Sequence, residues 1–188
     1  PARKPAGPPA GEVRIIGGQW KRSKLPVADK PGLRPTPDRV RETLFNWLGQ
    51  DMYGKRCLDL FAGSGALGME AASRGAASVV MVEKNRTVFR VLQENIKKLA
   101  LPNIALHNED GLEFASRGKA QFDVIFLDPP FQSEYLPKLL PLLAPQLAED
   151  GFLYVESGSA FEPAAPWQVV KRGKAGAVHY QLLKYQTE

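Results

Sequence analysis

Apolar segments of strand length alternate with helical patterns from residue 55 onward, and this alternation limits the possible folds more than any other feature of the chain. Strands are predicted at 57–60, 78–83, 104–107, 122–127 and 151–156, with helices at 66–74, 86–99 and 111–116. Two closing strands are predicted at 167–171 and 178–184. The pattern predicts an α/β fold with a doubly wound, mainly parallel seven-stranded sheet and helices on both faces.

The size and composition of the chain fit one globular core. It has 188 residues, of which 44% are hydrophobic, and this excludes a disordered or collagen-like protein. Because no apolar stretch approaches the ~18 residues of a membrane span, we expect a cytoplasmic protein. One core without heptad repeats predicts a monomer. The chain has one cysteine, Cys57, so an intrachain disulfide is excluded and a reducing compartment is favoured. Because Cys57 lies in a predicted apolar strand, we expect it in the core. His107 and His179 have no metal-ligand spacing, so no metal is expected.

The N-terminal part of the chain has its own pattern. Residues 1–11 contain four prolines and no large apolar side chain, which predicts a flexible arm. A β-hairpin with its turn at Gly17 and Gly18 follows, and then a helix with Thr36 as N-cap and Pro37 as its first residue. We therefore expect three parts: the arm at 1–11, a hairpin and helix at 12–50, and a main domain at 51–188.

One later segment is ambiguous. Residues 135–147 are rich in leucine but contain three prolines, so we expect a broken helix or one that begins at its N-terminal end.

The charges of the chain are distributed unevenly. Residues 1–56 hold twelve Lys and Arg against five Asp and Glu, whereas the remainder holds thirteen against fifteen. Clustered cations gain affinity for nucleic acid by releasing condensed counterions, but they also occur as ordinary solvated surface. The charge distribution alone leaves both interpretations open.

Ligands of doubly wound sheets bind at the carboxyl ends of the strands, and the first strand of the main domain leads into a glycine-rich turn. Gly63, Gly65 and Gly68 form a G-x-G-x-x-G pattern that opens a helix, where absent side chains let a ligand approach the backbone. The pattern fits a dinucleotide or a nucleoside without phosphate, such as S-adenosylmethionine. Asp59 favours the second, because a carboxylate repels a pyrophosphate and attracts a methionyl ammonium group.

Carboxylates also follow the next two strands. Glu83 can accept hydrogen bonds from both hydroxyls of a ribose. After the third strand, Asn108, Glu109 and Asp110 are candidates for the exocyclic amine of adenine, with the Gly111 amide available to a ring nitrogen. The sequence leaves open which of the three side chains contacts adenine.

The fourth strand ends in Asp128, Pro129, Pro130 and Phe131. The prolines fix the backbone, so the Asp128 side chain and the Pro129 carbonyl can accept both hydrogens of one planar amine. Phe131 can stack on the ring that carries the amine. Such a site would direct the amine lone pair toward a methyl donor, which is catalysis by positioning and electrostatics.

The order of these motifs resembles that of class I S-adenosylmethionine-dependent methyltransferases that modify exocyclic amines. More narrowly, four segments are similar to those of bacterial 16S ribosomal RNA guanine-N2 methyltransferases of the RsmD type, at residues 14–20, 32–36, 38–47 and 61–68. The resemblance implies a Rossmann-like fold and methylation of the exocyclic N2 of one guanine, position 966 in conventional rRNA numbering, in the small ribosomal subunit.

The resemblance also implies roles for individual residues. The donor would contact Asp59, Phe61, Gly63 and Gly65 with its methionyl part, Glu83 with its ribose, and Asp110 and Gly111 with its adenine. The guanine would contact Asp128, Pro129, Pro130 and Phe131, and a loop with Arg34 and Thr36 would close over the donor carboxylate or the target phosphate. The rRNA would be held by Arg14, Trp20, Lys21, Arg22, Lys24 and Arg39.

Three other functions fit parts of the sequence. A DNA adenine-N6 methyltransferase would use the same Asp-Pro-Pro-aromatic clamp for its amine. An NAD-dependent oxidoreductase would use the glycines and Glu83, but it leaves Asp128 unexplained. A non-catalytic RNA-binding assembly factor would keep only the fold. The sequence also leaves open whether naked rRNA or a partly assembled particle is the substrate.

Overall fold

The computed structural model describes residues 11–30, 33, 35–130 and 132–186. The predicted arm, apart from Gly11, lies outside the described residues, as do Arg34 and Phe131. The strands are β1 (Glu12–Arg14), β2 (Lys24–Pro26), β3 (Arg56–Asp59), β4 (Ser78–Val82), β5 (Ile104–His107), β6 (Phe122–Leu127), β7 (Leu147–Ser157), β8 (Trp167–Ala175) and β9 (Val178–Tyr185). The helices are α1 (Asp38–Trp47), α2 (Ala66–Ser73), α3 (Arg86–Leu99), α4 (Gly111–Arg117) and α5 (Gln132–Leu143).

The main sheet has seven strands in the order β5-β4-β3-β6-β7-β9-β8. All pairs from β5 to β7 are parallel, and β9 lies antiparallel between β7 and β8. The carboxyl ends of the five parallel strands therefore meet at one edge of the sheet. This arrangement confirms the predicted Rossmann-like α/β fold with a mainly parallel seven-stranded sheet.

Helices cover the sheet on both faces, and each face has its own apolar core. One core joins the sheet to α1, α2 and α3, and the other joins it to α4 and α5. Side chains alternate between the faces along each strand: Cys57 is in the first core and Leu58 in the second. None of the described helices is long and apolar enough to cross a membrane.

Of the two alternatives expected at 135–147, a broken helix or one that begins at its N-terminal end, helix α5 agrees with the second: it is unbroken and begins at Gln132. It continues through Pro137 and Pro141 to Leu143, and a 3-10 turn follows at Ala144–Gln146. The prolines are four residues apart and exposed, so their rings share the solvent face of the helix. Leucines on the opposite face are buried against the sheet, and this packing outweighs the lost backbone hydrogen bonds.

The N-terminal hairpin is present, but its turn differs from the prediction. β1 and β2 pair antiparallel over three residues each, and residues 15–23 form a loop between them in place of a two-residue turn. A β-carbon at Gly18 would lie 1.9 Å from the Ser73 carbonyl oxygen, because the loop packs tightly on α2. The glycines are therefore needed for contact with a helix that is distant in sequence, and local turn statistics cannot reveal such a contact.

The start of α1 also differs by one residue from the prediction. Its N-cap is Pro37, with no capping hydrogen bond from a side chain, and the helix begins at Asp38. Thr36 is buried and does not cap the helix; its carbonyl accepts a hydrogen bond from Arg41 Nε at 3.3 Å.

Candidate active site

A cavity of about 1020 Å³ opens at the carboxyl edge of the sheet. Its walls come from the turns after β3, β4 and β6, the start of α4, and the segment between β2 and α1. It is lined by many residues that the sequence predicts for donor or target: Thr36, Asp59, Phe61, Gly63, Glu83, Asp110, Gly111, Asp128, Pro129 and Pro130. The fold thus assembles in one cavity residues that are far apart in the chain.

Asp59, at the end of β3, is a buried carboxylate. It is 3% exposed, and its Oδ2 accepts a hydrogen bond from the Gly68 amide at 3.0 Å. Burial raises the pKa of Asp59 to about 7, and the carboxylates of Glu83 and Glu156 act in the same direction, while the Gly68 amide opposes them. A cationic group in the cavity would favour the ionised form of Asp59. The residue therefore fits the ammonium group of a methionyl ligand.

The three glycines of the turn have different roles. Gly63, with φ of +54°, lines the cavity. Gly65 is the left-handed N-cap of α2, and a β-carbon there would lie 2.5 Å from Leu92 Cδ2. A β-carbon at Gly68 would lie 2.8 Å from Met81 Sδ. Gly65 and Gly68 are thus needed for turn geometry and core packing. Of the three glycines, Gly63 alone is among the described residues that line the cavity.

Glu83, the residue after β4, is held by two backbone amides. Its Oε2 accepts a hydrogen bond from the Gly63 amide at 2.9 Å, and its Oε1 accepts one from the Asn85 amide at 3.0 Å. A carboxylate has about four acceptor positions, so two fixed amides leave capacity for two ribose hydroxyls. The Asn85 side chain in turn caps α3.

The structure separates the three adenine candidates. Asp110 caps α4 and lines the cavity together with Gly111. Asn108 donates hydrogen bonds to two backbone carbonyls after β4, and Glu109 forms an ion pair with Arg117. Of the three, Asp110 is therefore the side chain placed to contact a ligand.

The Asp-Pro-Pro turn follows β6 directly. Asp128 is half-buried, Pro129 is buried, and both line the cavity with Pro130. The predicted contact of Phe131 falls outside the described residues. The turn therefore places a carboxylate and a proline carbonyl in the same cavity as Asp59.

Several lining residues were missed by the sequence analysis. Tyr135 of α5 meets Phe61 edge to face, with 5.8 Å between ring centroids. Lys30, Lys84 and Arg86 add positive charge to the cavity lining. The two charged residues after Glu83 are a visible sequence signal, but Lys30 reaches the cavity only because the hairpin packs beside it.

The predicted rRNA-binding residues fall into two groups. Lys21, Arg22 and Lys24 are exposed, as is Arg39 on α1. Arg14 is also exposed but forms an ion pair with the first residue of α1, at 2.9 Å.

Trp20, a predicted rRNA-binding residue, also makes contacts within the protein. Its Nε1 donates a hydrogen bond to the Leu99 carbonyl at 2.7 Å, and its ring packs against the core under α3. The indole therefore anchors the hairpin loop to the main domain.

A buried ionic network joins the N-terminal segment to α2. Glu70 is fully buried and accepts hydrogen bonds from the amides of Ile16 and Gly17, each at 2.9 Å. It also forms ion pairs with Arg41 and Arg74, both at 2.9 Å. This network was not predicted, because its partners are far apart in the chain and no local pattern connects Glu70 with Arg41 or with the hairpin loop.

A second buried polar pair lies at the end of β7. The Tyr154 hydroxyl donates a hydrogen bond to Glu156 Oε1 at 2.6 Å, and Glu156 is 6% exposed. Burial raises the pKa of Tyr154 well above its ordinary value, and the nearby Glu156 and Asp128 carboxylates add to the effect.

The described residues contain no group of three or more His, Cys, Asp or Glu side chains arranged to hold a metal ion. Cys57 is fully buried, and burial raises the pKa of its thiol to about 12, as expected of a core residue.

The chain is similar to known proteins over nearly its whole length. The family described as Conserved hypothetical protein 95 matches residues 13–184. Ribosomal RNA small subunit methyltransferase D of Escherichia coli (strain K12) is 44% identical over 192 aligned positions, covering 99% of this chain and 96% of that protein. The protein of that name from Haemophilus influenzae is 42% identical over 180 positions, covering 92% of this chain and 93% of its own length.

A solved structure shows the same similarity in three dimensions. It is described as a putative methyltransferase, yhhF, from Escherichia coli, and it superposes with a TM-score of 0.85 at 42% sequence identity. The superposition covers 95% of this chain and 100% of that one.

Proposed function

The chain belongs to the Conserved hypothetical protein 95 family of RsmD-type methyltransferases, and we propose that it methylates the exocyclic N2 of a guanine in 16S rRNA of the small ribosomal subunit. The methyl donor in this proposal is S-adenosylmethionine. The target guanine is position 966, as the motif resemblance implies, and the reaction takes place in the cytoplasm, where the subunit is assembled.

One observation carries the proposal: a single cavity contains residues suited to the donor and a clamp suited to an amine. Asp59, Glu83 and Asp110 line it after three neighbouring strands, and Asp128 and Pro129 line it after a fourth. An oxidoreductase that uses the glycine-rich turn would need no such clamp. The combination therefore favours methyl transfer to an amine.

The donor fits the residues that line the cavity. The buried Asp59 carboxylate suits an ammonium group, Glu83 suits the ribose, and Asp110 with the Gly111 amide suits adenine. When bound, S-adenosylmethionine supplies a methyl group that is activated by the adjacent positive sulfur. The chain contributes binding and orientation.

The target amine is held by Asp128 and the Pro129 carbonyl. Two acceptors for its two hydrogens fix the amine plane, so the nitrogen lone pair is directed out of that plane, where a methyl donor can approach. The Asp128 carboxylate also stabilises the positive charge that develops on nitrogen as the carbon–nitrogen bond forms. Tyr135, which meets the donor-binding Phe61 edge to face, provides aromatic surface beside the ring of the target base, which must leave its stack to enter the cavity.

The nature of the relatives supports rRNA over DNA as the substrate. The two curated relatives from Escherichia coli and Haemophilus influenzae carry names that refer to ribosomal RNA of the small subunit. The exposed cations of the hairpin loop and β2 are consistent with a phosphate-rich partner.

Substitution of Asp128 tests the proposal. We expect Asp128→Ala to lower methyl transfer to small subunits by about 100-fold or more, because charge stabilisation and orientation are lost together. Affinity for S-adenosylmethionine, measured by calorimetry, is expected to stay within a few-fold of that of the unchanged protein.

Asp128→Asn is the matched control, since its amide oxygen still accepts one amine hydrogen while the negative charge is removed. We expect it to retain more activity than the alanine variant. Full activity of Asp128→Ala would remove Asp128 from the mechanism.

A further inference from the structure

Glu156 lies beside the amine clamp, on the same face of the sheet. Phe126 and Tyr154 are paired in register on β6 and β7, and their rings contact edge to face at 6.3 Å, which places both in the first core. Asp128 and Glu156 lie two residues further on, Asp128 directly after β6 and Glu156 within β7. Because side chains alternate along strands, both carboxylates extend toward this same face at the carboxyl edge.

The third carboxylate of this edge, Asp59, lies on the same face but earlier in register. β3, β6 and β7 are neighbours, and Asp59 on β3 is paired with Phe126, two residues before Asp128. Glu156 acts electrostatically on Asp59, and Asp128 and Glu156 both act on the Tyr154 hydroxyl. Glu156 is not among the described residues that line the cavity, but it lies on the strand beside Asp128, which does line it.

The hydrogen bond from Tyr154 fixes the orientation of Glu156. The hydroxyl donates to Oε1 at 2.6 Å, within a site where both side chains are buried. A carboxylate has about four acceptor positions, so this one bond leaves Glu156 with capacity to accept from a ligand. Desolvation strengthens such a bond and increases the cost of an unmatched partner.

Guanine and adenine differ next to the amine that is methylated. In guanine one of the two ring nitrogens beside the N2 amine carries a hydrogen, N1–H, whereas in adenine the one ring nitrogen beside the N6 amine, N1, has a lone pair. A carboxylate beside the clamp accepts a hydrogen bond from the first and repels the second.

We propose that Glu156, oriented by Tyr154, accepts a hydrogen bond from N1–H of the target guanine and thereby makes the clamp selective for guanine over purines without that hydrogen. This inference rests on the proposed guanine-N2 activity and deepens it. It assigns Asp128 to the amine and Glu156 to the neighbouring ring nitrogen.

A purine with the amine but without N1–H tests the inference. 2-Aminopurine has the same exocyclic amine, and a lone pair at N1. Small subunits reconstituted with 2-aminopurine in place of the target guanine are compared with guanine subunits by kcat/KM for methyl transfer. We expect the unchanged protein to prefer guanine by about ten-fold or more, the usual effect of an unmatched charged hydrogen bond.

Glu156→Gln should reverse part of this preference. Its amide oxygen can still accept the Tyr154 hydrogen, while its amide nitrogen can donate to the N1 lone pair of 2-aminopurine. We expect kcat/KM to fall for guanine and to rise for 2-aminopurine, so that their ratio changes by about ten-fold or more.

Two controls separate this role from a structural one. Tyr154→Phe removes the hydrogen bond to Glu156 but keeps the carboxylate, so it should lower activity on both bases with a smaller change in their ratio. Glu162→Gln alters an exposed carboxylate that is paired with Arg172, and it should leave the ratio unchanged.

The inference is overturned by an unchanged ratio in Glu156→Gln. It is also overturned if the unchanged protein accepts both bases equally, a result that does not depend on how well the variant folds. Failure of the proposed function is distinguishable, because the unchanged protein would then methylate no guanine N2 in the small subunit.

Discussion

Burial of Asp59 links donor binding to pH. Its pKa of about 7 means that a substantial fraction of the carboxyl group is protonated near neutrality in the ligand-free protein. A cationic ligand binds the ionised form, so binding must remove the proton. The ordinary pKa of an α-amino group is near 8, so the donor ammonium stays largely protonated below neutrality.

We expect affinity for S-adenosylmethionine to increase about ten-fold or more as the pH rises from about 5.5 to about 7.5, because Asp59 ionises in this window. Asp59→Asn should bind more weakly at pH 7.5 and show little change over the window. Calorimetric titration at several pH values measures both. An identical pH dependence in the variant would show that another group is responsible.

The same residue predicts a change in stability. Because the folded pKa lies above the unfolded value, stability is present below about pH 4 and is lost as pH rises through about 7. Asp59→Asn, which cannot ionise, should therefore melt higher than the unchanged protein at pH 8, and this advantage should shrink at pH 4. The opposite trend in thermal melts would contradict the assigned pKa shift.

At the scale of elements, the hairpin loop is joined to α2 by close backbone packing. Gly18, with φ of +77°, has no room for a β-carbon, whereas Gly176, with φ of +60°, has nothing within 4 Å of one. Both alanine variants incur the cost of a left-handed backbone, about 1–2 kcal/mol. Only Gly18→Ala also separates the loop from the helix.

We therefore expect Gly18→Ala to lower the free energy of unfolding by at least about 2 kcal/mol more than Gly176→Ala, as measured by urea denaturation. Equal losses in the two variants would show that the packing of the loop on α2 contributes little.

The ionic network around Glu70 stabilises the same junction. Glu70→Ala would leave the guanidinium of Arg41, which is 1% exposed, without its buried partner. We expect a loss of about 3–5 kcal/mol in the free energy of unfolding. Glu162→Ala, which breaks an exposed pair, should change it by less than about 1 kcal/mol. A loss of similar size in both variants would contradict the structural role of Glu70.

Local patterns predicted the elements better than their connections. The spans of α3, β5 and β6 match the prediction at both ends, because each has a clear pattern of apolar residues and ends at a turn residue or a charged residue. The two-residue turn at Gly17 and Gly18 was wrong, and the sequence could not decide whether α5 is broken, since contacts with α2 and with the sheet decide both. Such contacts join segments distant in the chain, and no local window contains them.

For the whole molecule, positive charge at the N-terminal end predicts how RNA binding depends on salt. We expect the triple variant Lys21→Ala, Arg22→Ala, Lys24→Ala to bind 16S rRNA more weakly, with a slope of log affinity against log salt that is smaller by about 2 to 3. Its affinity for S-adenosylmethionine should be unchanged.

The control removes two other exposed cations, Lys171 and Lys174, of the strand at the sheet edge. It should leave the slope nearly as it is. An equal reduction for each charge removed in the two variants would indicate that RNA is attracted by net charge without preference for the hairpin loop and β2.

The candidate site was more predictable than its surroundings. Asp59, Glu83, Asp110 and Asp128 were located because parallel strands bring their carboxyl ends to one edge, so strand assignment alone indicates where ligands bind. Lys30, Tyr135 and Glu156 were missed, because their positions near the cavity depend on packing between elements. The division into an arm, a hairpin and helix, and a methyltransferase domain at 51–188 stays a prediction.

The central claim is that the chain methylates one guanine N2 of the small subunit. The most direct test is transfer of labelled methyl from S-adenosylmethionine to small subunits that lack this modification, with naked 16S rRNA, large subunits and duplex DNA in parallel. We expect label on a single guanine N2 of small-subunit RNA and none on large subunits or DNA. Label on DNA adenine, or no label despite donor binding, would contradict it.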